Sequence, residues 1–289
     1  WIFRQPVVDL LTSIFPGSDP MSLQMRVSTF HVIFNVTTTC LLLPFVKQLV
    51  QYSCWVIKDR KQEGTTHSLK YVDDRLLSLP PVALMQVKKE IDYMLSLVEE
   101  NIRYSLASID GSPAVNAEKI SENEDIIDFT NGNLTQFLIK LSACVDERDE
   151  QKIGAYFHVL NDLERIGDHA ENFHEIGQEM LGKELAFSDT ALSDIKQMYG
   201  VAIAMIAIAK DAFDTESPDR LPALTDLENQ TDEMKRVFSA KHFSRLSEGN
   251  CSLEVSPYYT STITGLERVA DHLVNVGYSI VSPTGSQDE

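Results

Sequence analysis

The chain has 289 residues, 43% of them hydrophobic and 24% charged, so it is too apolar for a disordered protein and long enough for one large domain or two ordinary ones. Its 43 acidic and 25 basic side chains give a net charge of -18, which argues against nucleic acid as a partner because phosphate backbones are bound by Lys and Arg. The four cysteines are scattered without a CxxC or zinc spacing, which excludes a disulfide scaffold and favours reduced thiols.

The first 61 residues differ from the rest in charge, with six basic and three acidic side chains against 19 basic and 40 acidic ones in the remainder. This asymmetry indicates two environments along one chain. The chain opens at Trp1 without the pattern of a signal peptide, so we expect it to be the C-terminal part of a longer protein. Residues 1–15 are apolar but interrupted by charges and a proline, and whether they form a re-entrant or interfacial piece stays open.

Residues 27–46 are the candidate membrane helix, because these twenty residues carry no formal charge and just span a bilayer core of about 30 Å. Four threonines, His31 and Asn35 dilute its hydropathy, so we expect it to pack against other helices. Aromatic and then basic residues follow, as at a membrane–water interface: Tyr52, Trp55, Lys58, Arg60 and Lys61. The positive-inside rule then places the later residues in the cytoplasm. The alternative, a buried helix of a soluble protein, leaves this flank unexplained.

A polar linker over residues 62–79 ends at Pro80 and Pro81, which suit the first turn of a helix. Apolar residues then recur at spacings of three and four, the period of a helix with one buried face. No alternating strand pattern occurs, so we predict an all-α fold. The predicted helices cover 82–107, 115–146, 150–181, 189–214, 219–247 and 253–281, followed by a tail over 282–289. The apolar run Tyr199–Ala209 has only eleven residues, so we expect a buried helix that is too short to cross a membrane.

An internal repeat organises residues 80–281. Residues 163–172 (LERIGDHAEN) and 266–275 (LERVADHLVN) agree at six of ten positions, at a constant offset of 103. About forty residues before each copy stands a pair of acids, Glu124 and Asp128 or Glu228 and Asp232. The six helices therefore form two three-helix repeats, over about 82–181 and 189–281.

Each repeat holds two pairs of acids spaced i, i+4, which lie side by side on one face of a helix. Because the second and third helices of a repeat are joined by a short turn, their pairs can face each other. Four carboxylates from two helices form an oxygen-lined site for a di- or trivalent cation, and Fe, Mn, Mg and Zn all remain open. The first acidic cluster is Glu124, Asp128, Glu164 and Asp168, and the second acidic cluster is Glu228, Asp232, Glu267 and Asp271.

The main alternative is a solvated face whose acids form salt bridges to Arg165 and Arg268, since about six such acidic pairs are expected by chance in this composition. His169 and His272 directly follow the last acid of each cluster, and we expect them to pack or to orient ligands rather than to bind metal. A ferritin-like carboxylate oxidase would need a His three residues after the Glu, which none of the four motifs has. We therefore do not expect an enzyme.

The doubled DLERIGDHAEN and GLERVADHLVN segments with their upstream acids resemble the PhoU domain family of phosphate-uptake regulators over residues 80–281. The segment FHVIFNVTTTCLLLPF resembles the last membrane helix of bacterial sodium/phosphate cotransporters that carry a PhoU-like domain. The resemblance implies a membrane helix followed by a six-helix bundle that binds multinuclear metal clusters through the eight acids named above. It also implies an inner-membrane protein with a cytoplasmic regulatory domain.

The transporter core that would bind sodium and phosphate is absent from residues 1–289, so this chain alone should transport nothing. Gly265 replaces Asp162 and Val274 replaces Glu171 in the second repeat, which therefore has fewer acids and should bind metal more weakly. Two functions compete: the regulatory end of a sodium-dependent phosphate symporter, and a stand-alone regulator of a phosphate ABC transporter and its sensor kinase. The oligomeric state, including a homo-oligomer, stays open.

Overall fold

The structure is a computed structural model that describes residues 4–17, 19–46, 67–111, 117–249 and 251–281. These residues are mainly helical and contain no β-strand, which confirms the prediction of an all-α fold. The chain divides into two compact units, Trp1–Thr66 and His67–Glu289, and each is described by itself.

The first unit contains helices α1 (Arg4–Ile14) and α2 (Pro20–Leu42), and a 3-10 turn, Leu43–Phe45, continues α2. Helix α2 begins seven residues before the predicted span because Asp19 accepts a hydrogen bond from the Ser22 amide (3.1 Å) and Pro20 suits the first turn. None of the residues of α2 is buried. Pro20–Phe45 is long and apolar enough to cross a membrane, and most of its large apolar side chains are exposed among the residues that the structure describes.

The Arg26 side chain of α2 ties the two helices of the first unit together. Its guanidinium donates to the backbone oxygens of Phe15 (2.9 Å from Nε) and Gly17 (2.7 Å from Nη2), at the end of α1. A cation satisfies the carbonyls that a helix leaves free at its C-terminus. The predicted aromatic and basic flank over 52–61, the linker residues 62–66 and the tail 282–289 lie outside the described residues.

The described residues of the second unit form six α-helices, and the ends of these helices agree with the predicted bounds to within four residues. A 3-10 turn, Asp74–Ser78, precedes them, and Pro80 opens the first helix as expected. The helices are α3 (Pro80–Ile109), α4 (Ala117–Ser142), α5 (Glu147–Gly182), α6 (Asp189–Thr215), α7 (Leu221–Ser247) and α8 (Ser256–Val281).

The six helices form two three-helix repeats, α3–α5 and α6–α8, as predicted. Within each repeat every helix contacts the other two, and α5 packs against α8 in the middle of the bundle. The stripe on α3 that predicted one buried face lies in the core, with Val87, Ile91, Met94 and Ile102 fully buried. Burial of such a stripe is the main source of stability for a helix of this kind.

Helix α6 corrects one expectation. The apolar run at its centre belongs to a helix of 27 residues, so the argument that it is too short to cross a membrane was wrong. The expectation that it is a buried helix of the bundle holds, because Met198, Tyr199, Met205 and Ile206 are at most 1% exposed among the other helices. Ser188 caps its start by accepting a hydrogen bond from the Ala191 amide (3.3 Å).

Candidate metal centre

The first acidic cluster lies between α4, which carries Glu124 and Asp128, and α5, which carries Glu164 and Asp168. The two helices pack against each other after the short connection over residues 143–146. Glu124 is 6% exposed, and neither of its carboxylate oxygens has a hydrogen-bond partner among the described residues. A buried carboxylate without donors is costly, so this side chain needs either a proton or a cation.

Glu124 reaches this position because α5 has no side chain at Gly167. A Cβ atom there would lie 3.0 Å from Oε2 of Glu124 and 3.3 Å from Oε1. Burial, and then the negative charges of Asp128, Glu171 and Asp168, raise the pKa of the Glu124 carboxyl to about 8. The glycine therefore sets the environment of the most perturbed acid in the cluster.

The other acids of the first cluster interact across the two helices as the spacing predicted. Burial, followed by the charge of Asp168, raises the pKa of Asp128. Burial and the charges of Asp168 and Asp128 raise that of Glu164. Burial likewise raises the pKa of Glu171, to which Asp168 and Asp128 also contribute, so the structure adds this acid to the edge of the cluster. The sequence alone does not predict Glu171 as a member of the cluster and marks it only because Val274 replaces it in the second repeat.

In the second acidic cluster Glu228 and Asp232 of α7 meet Asp271 of α8. One oxygen from each lies within 4.8 Å of the other two, a spacing suited to shared coordination of one ion. Burial and the charges of Asp232 and Asp271 raise the pKa of Glu228. Burial and the charges of Glu267 and Asp232 raise that of Asp271. Three of the four predicted residues of this cluster thus converge on one point.

The fourth, Glu267, is already paired with a cation of the protein itself. Lys235 on α7 places its Nζ 2.7 Å from Oε1 of Glu267, and the two side chains are 34% and 18% exposed. At the offset of 104 that relates Glu124 to Glu228, the residue equivalent to Lys235 is Asn131, whose Oδ1 is buried without a partner. The second cluster therefore carries an internal positive charge where the first has an amide.

The salt bridges to Arg165 and Arg268 that the alternative of a solvated face requires are absent from the part of the chain that the structure describes, where Lys235 pairs with Glu267. His272 contacts neither cluster through a hydrogen bond and instead shares one with Asp162, 2.8 Å from Nδ1 to Oδ1. His169 stacks on Phe173 with ring centroids 6.4 Å apart. Both imidazoles thus have partners outside the acidic clusters.

These residues fit a hard or borderline cation. All of the donors are carboxylate oxygens, the ligands that Mg²⁺ and Mn²⁺ prefer and that Fe and Zn accept. The unpartnered oxygens of Glu124 and the raised pKa values of the acids around it show that these acids repel one another, and none of the four predicted acids forms an ion pair among the described residues. A cation held there would remove the repulsion between α4 and α5.

The chain matches the model of the PhoU domain twice, over residues 91–176 and 195–280. It is 28% identical over 200 residues to the phosphate-specific transport system accessory protein PhoU homolog 1 of Thermotoga maritima, covering 68% of this chain and 85% of that protein. It is 21% identical over 296 residues to the putative inorganic phosphate export protein YjbB of Salmonella typhimurium, covering 99% of this chain and 52% of that protein. The chain thus spans about half the length of that relative.

Among solved structures, PhoU of Pseudomonas aeruginosa superposes with a TM-score of 0.65 at 18% identity, covering 69% of this chain and 96% of that one. The regulatory protein PhoU of Streptococcus pneumoniae gives a TM-score of 0.64 at 20% identity, covering 73% of this chain and 99% of that one. At this level of identity the similarity establishes the fold. Both repeats take part in each superposition, since one repeat is too short for such coverage.

Proposed function

This chain belongs to the PhoU domain family, and from that premise we propose that it regulates phosphate transport through a cation-binding helical domain. The observation that carries the proposal is the match of both three-helix repeats to the PhoU domain, over residues 91–176 and 195–280. The relatives described above are named for phosphate-specific transport and for phosphate export. The role is regulatory, and no catalytic step is assigned.

The first unit supports a membrane-attached form of this regulator. Helix α2 exposes its apolar side chains all round, and a lipid bilayer would cover them at a favourable free energy. The alignment to the Salmonella YjbB protein covers 99% of this chain and therefore includes α2. We place α2 in the bacterial inner membrane and the six-helix unit on its cytoplasmic side. Coupling to sodium rests only on the resemblance of residues 27–46.

In the six-helix unit, the two acidic clusters would hold the cations. When bound, a di- or trivalent cation supplies the positive charge that joins the second and third helices of a repeat. The protein's part is to hold Glu124 in place through Gly167 and to leave three oxygens converging at Glu228, Asp232 and Asp271. We propose that occupancy stiffens each repeat and so alters the force that the bundle exerts on the membrane segment.

A second candidate function is that of a stand-alone accessory protein of a phosphate ABC transporter and sensor kinase. The alignment to the Thermotoga protein favours it, because it covers 85% of a relative that is named as an accessory protein of a phosphate-specific transport system. The two candidates differ in what transports phosphate. The first requires a transporter core in the same protein, and the second requires a separate permease.

Phosphate fluxes in host cells test the proposal. Cells without the gene would be complemented with the complete wild-type protein or with Glu164→Gln/Asp168→Asn, and uptake and efflux of radiolabelled phosphate would be measured. We expect the deletion and the double variant to change flux in the same direction, while the exposed neighbour Glu122→Gln behaves as wild type. Unchanged flux in both would contradict the proposal. If the effect disappears when the ABC transporter is also deleted, the second candidate is correct.

A further inference from the structure

A cleft of about 630 Å³ opens between the second half of α5 and the first half of α8. His169 and Asn172 line it from α5, and Thr264, Gly265 and Arg268 line it from α8. None of its lining residues is acidic, although the chain has a net charge of -18. Arg268 forms no ion pair with any residue that the structure describes. The cleft thus offers one cationic side chain without an ion pair and has no acid in its lining.

The internal repeat indicates which chemistry would suit this cleft, because the equivalent residues in the other half of the bundle hold a carboxylate. There Asp162 of α5 reaches two side chains of α8. Its Oδ1 lies 2.8 Å from Nδ1 of His272 and accepts a longer hydrogen bond, 3.5 Å, from Nδ2 of Asn275. One acid of the first repeat is therefore held by the imidazole and the amide of the second.

On the cleft side the residue equivalent to Asp162 is not an acid, but the residues equivalent to its two hydrogen-bond partners are present. At the repeat offset of 103, Asp162 corresponds to Gly265, His272 to His169, and Asn275 to Asn172. A Cβ atom at Gly265 would lie 3.8 Å from Nδ1 of His169, so the pseudo-twofold relation between the two halves holds in space. The imidazole and the amide that would bind a carboxylate line the cleft instead, where the Phe173 ring lies against Gly265.

We propose that this cleft binds a small oxyanion beside the Phe173 ring, held by the residues equivalent to those that hold the Asp162 carboxylate in the other half. Arg268 supplies the charge, and the imidazole and amide supply neutral donors, as in other charge-assisted sites. Thr260, Ser261 and Thr264 add hydroxyls along the first turns of α8, whose N-terminus at Ser256 carries a partial positive charge. Inorganic phosphate and small carboxylates share the required chemistry.

The test uses the full chain in a non-ionic detergent, freed of metal by chelator and then of chelator, so that no bound cation attracts the anion. Inorganic phosphate and acetate are titrated separately by calorimetry. We expect saturable binding of at least one, weakened about tenfold by Arg268→Gln, the effect of losing one charge-assisted hydrogen bond. Arg165→Gln is the matched control, since it stands at the equivalent position in the first repeat and does not line the cleft.

A second variant tests the pseudo-symmetry argument itself. Gly265→Asp introduces a carboxylate at the position of Asp162, and the Phe173 ring, 2.6 Å from the new Cβ, must turn aside. We expect this variant to lose oxyanion binding because its own acid fills the cleft. Tighter binding of phosphate or of acetate identifies the oxyanion. The absence of saturable binding for both, or equal binding by the Arg268→Gln and Arg165→Gln proteins, would overturn the proposal.

Discussion

Glu124 on α4 lies against Gly167 on α5 so closely that the two could not keep this arrangement if residue 167 carried a Cβ atom, which would stand 3.0 Å from Oε2. In the second repeat the equivalent of Gly167 is Ala270, and Glu228, the equivalent of Glu124, is only partly buried. The second repeat thus has one additional methyl group at this position, and its acid is half-buried where the acid of the first repeat is buried. A nearly symmetric sequence produces two unequal clusters.

Gly167→Ala should weaken cation binding at the first acidic cluster. The new methyl group displaces the end of the flexible Glu124 side chain, so we expect affinity for Mn²⁺ to fall about tenfold, as for other residues that support metal ligands. Isothermal titration calorimetry measures it. Gly154→Ala, on the same helix with no atom within 4 Å of its Cβ, is the control and should bind as wild type. Equal affinities for the two variants would contradict the role assigned to Gly167.

Glu124 should make the stability of the metal-free protein depend on pH. Its pKa is about 8 in the fold against 4.5 in the unfolded chain, so the folded state holds the extra proton between these values. Its contribution to stability is therefore complete below about pH 4.5 and is lost as the pH rises through about 8. Glu124→Gln removes the ionisable group, so the metal-free variant should unfold at a higher temperature than wild type at about pH 9, but not at about pH 4.

Thermal unfolding with and without Mn²⁺ checks this prediction. Mn²⁺ should raise the unfolding temperature of the wild type more at about pH 8 than at about pH 5, because binding must release the Glu124 proton. Glu122→Gln, an exposed neighbour paired with Lys119, should keep the wild-type pH dependence. A metal-free Glu124→Gln protein that is less stable than wild type at about pH 9 would show that Glu124 has a partner other than a cation.

Lys235 should compete with metal ions in the second acidic cluster, because its ammonium group already pairs with Glu267. Lys235→Asn introduces the amide that the first repeat has at this position and releases Glu267 from its ion pair. We therefore expect Mn²⁺ to bind the second cluster about tenfold more tightly. The measurement is a titration in a Glu124→Gln background, which isolates the second cluster. Lys241→Gln, an exposed change on the same helix, is the control. A loss of affinity in Lys235→Asn would contradict competition.

A buried polar contact should hold the second repeat together independently of metal. Asp194 of α6 accepts hydrogen bonds from Nη1 of Arg245 on α7 (3.0 Å) and from the Tyr259 hydroxyl on α8 (3.0 Å), and the Asp194 and Arg245 side chains are 7% and 14% exposed. Asp194→Ala leaves the guanidinium buried without its partner, so we expect the free energy of unfolding to fall by about 3 kcal/mol.

Urea denaturation of the metal-free chain measures this loss. The exposed neighbour Ser193→Ala should change the free energy of unfolding by less than about 0.5 kcal/mol. Asp194→Ala combined with Arg245→Met should lose less than Asp194→Ala alone, because the buried charge is then gone as well. If the double variant is the less stable of the two, Arg245 stabilises the fold through other contacts.

Much of the fold follows from local signals in the sequence. Pro80 marks the start of α3, and the period of Val87, Ile91 and Met94 identifies its buried face, because these features depend on the residues of one helix alone. The repeat and the i, i+4 spacing likewise place the acids of each pair on one face. These predictions need no knowledge of how the helices pack.

The distances between helices could not be predicted in this way. Spacing along α4 and α5 does not reveal that Gly167 lets Glu124 become buried, since that contact depends on how closely the helices approach. Nor does it reveal that Lys235 pairs with Glu267 rather than with solvent, or that Asp162 binds His272 across the two repeats. The exchange of Asn131 for Lys235 is visible in the aligned repeats, but its effect on the second cluster requires the geometry.

Metal content measured by inductively coupled plasma mass spectrometry tests the central claim most directly. The full chain would be purified without chelator as wild type, as Glu124→Gln/Glu164→Gln, as Glu228→Gln/Asp271→Asn, and as the exposed control Glu122→Gln/Glu233→Gln. We predict more than one bound cation per wild-type and control chain, and a loss of cations confined to the altered cluster in each of the other two variants. Wild-type protein without bound metal, or variants that keep the full amount, would contradict the account.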